Sequence, residues 1–272
     1  MRIGLPHRAH RETHRRATAG RKAAAFLVLS LSVLLSHGQL AWSGDFYVNP
    51  IKVVLGAPSQ SALLTLQNKS SEPLRFQLTV FVWEQDPVGH LLLTPTRDII
   101  FFPRLLTLAP GEQRLVRVGA AAPAGLVERT YRLFVEELPP LETQGQPVLP
   151  GQVRVRARLG LPVFVQPAHG RAEPRLTDLR VQRGRFAFEL RNLGTLHVAP
   201  AQVRVRGYAA DGQVVWEREL EGWYVLAKGI RRYDVELGQE DCSKSLAIGV
   251  EVTIGQRSLV QRLEVPPQDC AS

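Results

Sequence analysis

The three histidines beyond residue 43, two cysteines and one run of strictly alternating residues are the groups in this sequence whose type and spacing could do chemistry. Beyond residue 43 the histidines are His90, His169 and His197. None stands in a Gly-x-Ser-x-Gly or His-Glu-x-x-His setting, and no glycine-rich loop is placed to cradle a phosphate. Each histidine therefore reads as a surface or turn residue, and no catalytic residue, metal or cofactor is expected. Cys242 and Cys270 are the whole thiol complement, with no histidine near either at ligand spacing, which argues against zinc. In an exported chain such a pair reads as a disulfide closing a loop of about 29 residues, worth roughly 3 kcal/mol; two free buried thiols are the alternative. The remaining chemistry is association. From Val153 to Leu161 the odd positions are Val153, Val155, Ala157, Leu159 and Leu161, while Arg154, Arg156 and Arg158 take even ones. On a strand this gives one apolar and one cationic face.

That run, Gln152 to Pro167, predicts a strand that extends roughly 40 Å, well past the usual five or six residues. Pro162 cannot donate to a ladder, which places it at an edge or a bend. A long apolar edge strand is an aggregation hazard. Either the strand fills the core of its own domain or it is lent to another protein.

The amino terminus sets the compartment. Arg2, Arg8, Arg11, Arg15, Arg16, Arg21 and Lys22 face a single acid, Glu12, and are followed by the apolar run Ala23–Leu35 and a small-residue site at Ala41-Trp42-Ser43. This is the pattern of a secretory signal peptide, residues 1–43, cleaved after Ser43 by the general secretory route. The run is too short for a membrane span, so export without stable membrane insertion is expected. Removing it turns the formal charge of +9 into 27 basic against 24 acidic residues, a net +3. No electrostatic footprint for nucleic acid remains.

The elements that must position the alternating run are short strands. Candidates in residues 44–167 are Phe46–Leu55, Ser61–Asn68, Leu74–Glu84, His90–Leu93, Ile99–Phe102, Gln113–Val118 and Thr130–Leu138, separated by turn residues such as Asp86-Pro87-Val88-Gly89. Asn68-Lys69-Ser70 is formally a glycosylation acceptor and reads better as a turn. Ala168–Pro174 reads as a linker. Seven further strands, among them Phe186–Asn192, Ala201–Ala209 and Leu246–Ile254, fill residues 168–272, with Asp211-Gly212 as a hairpin turn. The fold class is all-β: two immunoglobulin-like sandwiches in tandem behind a signal peptide. The cysteine pair should tie a late strand to the carboxyl terminus.

Several stretches of the first domain resemble, in order, the periplasmic chaperones of the chaperone–usher pilus pathway. Asn49-Pro50-Ile51-Lys52 resembles the Pro-x-basic start of the first strand, and Leu63-Thr65-Leu66-Asn68 the second. Pro103 with Leu108–Arg117 resembles the Leu-x-Pro-Gly segment and its Val-Arg strand. Arg129–Pro140 resembles the strand ending in Glu-Ile-Pro-Pro, and Leu161–Pro167 the domain's close. The second domain resembles the family more loosely.

The resemblance implies a mechanism. Pilus subunits of such systems are sandwiches missing their last strand, and the chaperone adds its own strand to the open edge before delivery to an outer-membrane usher. Val153, Val155, Ala157 and Leu159 would be the inserted residues. The short loop Leu141–Gly151 resembles the branch that builds pili more than the one that builds thin capsule-like polymers. The family anchors the subunit's terminal carboxylate between two basic residues. Lys52 stands at one of those positions, but the other holds Pro162, and Arg158 lies about 13 Å from it along a strand. Gln166 replaces an arginine of the family's interdomain salt bridge, which leaves the stiffness of the hinge open. The rival reading is a secreted structural or adhesive immunoglobulin-like binding module.

Overall fold

Apolar residues recur at every second position in most segments of this chain, and a strand so patterned must lay one face on a core. The computed structural model describes residues 45–57, 59–121, 123–141, 155–266 and 270. The signal peptide expected over residues 1–43 lies outside them.

The described residues form two sandwiches. In the first, β1 (Phe46–Asn49), β3 (Ser61–Asn68), β8 (Gln113–Ala120) and β6 (Ile99–Phe102) make one sheet in that order. The facing sheet runs β2 (Val53–Leu55), β10 (Arg158–Val165), β9 (Arg129–Leu138), β4 (Leu74–Gln85) and β5 (Leu91–Pro95), with β7 (Leu105–Leu108) also on β4. Leu64, Leu66, Phe76, Leu133, Val135 and Val163 meet in the core between them.

Two features depart from the sequence reading. The single strand expected over Phe46–Leu55 is two: β1 pairs with β3 in one sheet, while β2 pairs parallel to β10 in the other. Pro50, which has no N–H to give, stands at the crossing between sheets. β7 was not anticipated; only Leu106 and Leu108 of its four residues face inward, too short a pattern to read alone.

In the second sandwich β11 (Pro174–Gln182), β12 (Arg185–Asn192) and β15 (Ile230–Glu236) form one sheet. The other is β14 (Val214–Leu220), β13 (Gln202–Tyr208), β16 (Ala247–Ile254) and β17 (Arg257–Glu264), around a core that includes Phe186, Phe188, Val205 and Val250. Gly212 closes the β13–β14 hairpin at φ 80°, a conformation that favours glycine. Cys242 and Cys270 are bonded, but Cys242 sits on a six-residue helix, α1 (Gln239–Lys244), rather than on a strand. Asn68 is buried, its amide donating to the Glu72 and Leu108 carbonyls and its oxygen accepting from Ser70, so it serves the turn and is closed to a glycan.

The crosslink spans 28 positions, so replacing Cys242 and Cys270 by serine should lower the unfolding free energy by about 3 kcal/mol. Denaturant unfolding of the oxidised protein against the double variant measures this; coincident curves would show that the bond restrains nothing.

Candidate functional site

The site is built on β10, whose two edges are unequal. β9 pairs along its whole length, from Arg158↔Glu136 to Val165↔Arg129. On the other edge β2 pairs only with Val163, Phe164 and Val165. Among the described residues the outer edge over Arg158–Pro162 therefore has no strand partner, and Pro162 has no N–H to offer there.

The strand is shorter than the sequence pattern predicts. The last contacts before it are Glu137 N–H to the Ala157 carbonyl at 3.0 Å and Ala157 N–H to the Glu137 carboxylate at 3.4 Å. β9 ends at Leu138, and Pro139-Pro140 after it cannot continue a ladder toward Val155; residues 155–157 lie outside the strand. Val153 lies outside the described residues. Where the odd-numbered row is described, it divides. Leu161, Val163 and Val165 are buried in the sandwich's own core, whereas Leu159 is 37% exposed, Ala157 half-buried and Val155 49% exposed. An apolar row that starts inside the core thus runs out of it along a free edge.

The even-numbered face looks the other way. Gly160 lies under the Phe134 ring, and an added Cβ would stand 2.9 Å from it. Arg158 covers that ring at 4.0 Å and pairs with Glu136 at 3.4 Å, so it is engaged well away from Pro162. Pro162 lies opposite Arg132 of β9. Lys52 immediately precedes β2, whose parallel register begins at Val53↔Val163, so Lys52 flanks Pro162 on the other side. It is exposed and makes no ion pair among the described residues.

Farther along this face Phe164 is fully buried between the two sandwiches with Trp83 and Leu226. The His197 ring stacks on it at 3.7 Å. His197 is therefore part of the interdomain contact and not the surface or turn residue the sequence suggested. Its Nδ1 donates to buried Glu128 at 2.7 Å, as does its backbone N–H at 2.9 Å, and the Gln166 amide donates to the same carboxylate at 3.0 Å. The link put in doubt by Gln166 is rebuilt with a neutral amide and an imidazole. Sequence reasoning had no signal for this, because Glu128 and His197 meet across 69 positions. It also missed Arg132, only 6% exposed, whose guanidinium lies over Trp83 at 4.2 Å and near Trp223 at 5.4 Å. Burial holds its pKa below the usual guanidinium value. Elsewhere His90 pairs with Asp86 in the β4–β5 turn, and no group of three metal-binding side chains assembles among the described residues.

Residues 45–170 match the family model described as the pili and flagellar-assembly chaperone, PapD N-terminal domain. No curated protein matches the chain. Among solved structures, the CsuC–CsuE chaperone–tip adhesion subunit pre-assembly complex of Acinetobacter baumannii aligns at 20% identity and a TM-score of 0.56, over 80% of this chain and 97% of that one. The CupB2 chaperone of Pseudomonas aeruginosa aligns at 16% identity and 0.51, over 81% and 100%. The Salmonella enterica SafA pilin in complex with the SafB chaperone aligns at 13% and 0.54, over 84% and 99%. At such identities these likenesses speak to the fold.

Because Phe164 closes the contact between sandwiches, Phe164→Ala should cost about 3–5 kcal/mol of stability. Guanidinium unfolding checks this; a loss well under 1 kcal/mol would show that the ring holds little together.

Proposed function

Over residues 45–170 this chain is a member of the pili and flagellar-assembly chaperone family, and from that premise we propose that it is a periplasmic chaperone that completes pilus subunits with its own β-strand. The single observation carrying this reading is the odd-numbered apolar row that leaves its core at Leu159 and continues through Ala157 to Val155 beside an unpaired edge. A subunit lacking its last strand needs two things: main-chain partners for an open edge, and alternate apolar side chains for the groove beneath it. β10 and the residues before it can offer both. Val153, Val155, Ala157 and Leu159 are the donor residues in this reading, and Lys52 takes part in holding the subunit's terminal carboxylate.

The remainder of the role follows the same premise. The chain is exported by its amino-terminal signal peptide, residues 1–43. Residues 44–167 form the strand-donating domain and 168–272 the second sandwich. Loaded subunits are handed to an outer-membrane usher. Support for the class of partner comes from the CsuC–CsuE and SafA–SafB pairs, which are by their descriptions chaperones bound to a tip subunit and a pilin. The role asks for binding and no catalytic chemistry; His90 is paired with Asp86 and His197 with Glu128.

Substituting Val155→Asp tests the reading, because it forces a carboxylate into the subunit's groove while touching nothing in the chaperone's own core. The expected result is at least a tenfold loss, about 1.4 kcal/mol or more, in capture of a co-expressed pilus subunit, with thermal unfolding unchanged. Capture like the parent's would reject strand donation, and leave a binding module of another kind.

A further inference from the structure

Over Arg158–Pro162 β10 is held by β9 alone among the described strands, because β2 reaches only as far as Val163. The Glu137 N–H donates to the Ala157 carbonyl at 3.0 Å, so Ala157 and Glu137 form a hydrogen-bonded rung. Rungs of an antiparallel ladder alternate, which makes Arg158↔Glu136 and Gly160↔Phe134 the pairs without main-chain bonds between them. The main chain of Arg158 and Gly160 therefore turns outward to the open edge. On these two rungs the strands also approach most closely, which brings the side chains together.

A glycine on such a rung weakens a strand, since it has no side chain to pack. Phe134 makes up for it. Its ring lies on Gly160, so close that a Cβ there would stand 2.9 Å from the ring. The Arg158 guanidinium covers the same ring at 4.0 Å and meets the Glu136 carboxylate at 3.4 Å. Phe81 of β4 braces the ring edge-on at 5.7 Å, and Arg132 Nη1 donates to the Gly160 carbonyl at 3.0 Å. An aromatic side chain laid across a strand glycine pins the register of the pair, and a cation over the ring adds to the hold. Phe134 is half-buried and lies on the face opposite the core residues Leu133 and Val135, so this arrangement is not part of the core. It stands where the odd-numbered apolar row leaves the core, with Arg158 and Gly160 on either side of Leu159.

We propose that Phe134 is a positioning residue for strand donation: seated on Gly160 and covered by Arg158, it holds the open stretch of β10 extended, edge outward, before a subunit arrives. The assignment rests on the proposed chaperone function. A loose strand must give up backbone freedom when it pairs, and that cost falls on the encounter unless the strand is already ordered. With Leu159 flanked by two held residues, Ala157 and Val155 leave the domain in a set direction and in phase with the core. Once a subunit is in place, its own ladder holds the strand. The ring thus bears on the rate of capture and not on the lifetime of the complex.

The test dilutes a urea-unfolded pilus subunit into the full mature chain and times capture, then times release by exchange against a tagged copy of the chaperone. Phe134→Leu, which keeps apolar bulk and loses the flat ring, should slow capture at least about threefold and change release less than about twofold. Gly160→Ala, which lifts the ring off the strand, should slow capture alike, and the two together should do little more than either alone. Phe134→Tyr keeps the ring and should capture at the parent's rate; Gly160→Ala serves alone if the leucine variant does not fold. Release quickened as much as capture is slowed would make the ring a direct contact of the subunit and overturn the assignment, as would slow capture by Phe134→Tyr. Capture at the parent's rate by Phe134→Leu and Gly160→Ala, with Val155→Asp still impairing it, would overturn the assignment and spare strand donation. Unaltered capture by all of these variants, Val155→Asp included, would remove the chaperone reading itself.

Discussion

The constraint on which the rest of this structure depends is the phase of side-chain alternation along β10. Leu161, Val163 and Val165 are buried in the first sandwich, and their burial fixes which way every other residue of the strand points. A slip of one position would drive Arg158 and Pro162 toward the core and expose three aliphatic side chains, each worth about 1.5–3 kcal/mol when buried. With the phase locked, Phe164 must turn to the second sandwich and Pro162 to the face where Arg132 lies. The same phase carries Leu159, Ala157 and Val155 in line with the core residues but past the end of the core. One periodicity therefore serves three surfaces.

The junction between sandwiches follows from that phase. Phe164, Trp83 and Leu226 form a small apolar cluster of their own, separate from the two domain cores, with Tyr224 packed against it. The His197 ring stacked on Phe164 ties this cluster to Glu128, which also receives Gln166. A carboxylate buried with three directed N–H donors gives the junction an angular preference that apolar contact alone would lack, since hydrogen bonds are directional and apolar burial is not. Backbone bonds from Glu128 to Thr195 and from Arg232 to Pro87 add two more points of contact on either side. The residues that face the even side of β10 are thus held by both domains.

Low identity with structures of the same fold is consistent with this division of labour. The chain aligns over four-fifths of its length with the CsuC–CsuE complex at 20% identity, so the fold is alike while few side chains are shared. What must persist is the pattern of burial along each strand; the polar links at the junction can be rebuilt from different residues. In this chain Gln166 and His197 both donate to Glu128 there.

The sequence by itself determined the class of fold, because a period of two is visible in any strand that buries one face, and turn residues mark where strands stop. β3, β4, β9 and β12 fall close to where alternation and turn chemistry put them. The apolar row from Val155 to Leu161 was equally legible, since it is written in consecutive residues. Tertiary structure alone decided which neighbours those residues have. That Pro50 divides one strand between two sheets, that the outer edge of β10 is paired only over its last three residues, and that Arg132 stands across from Pro162 are all facts of pairing. Pairing joins residues far apart in the chain, and no local periodicity encodes its partner. Glu128 and His197, 69 positions apart, were unremarkable as residues for the same reason: a side chain's chemistry is set by what packs against it.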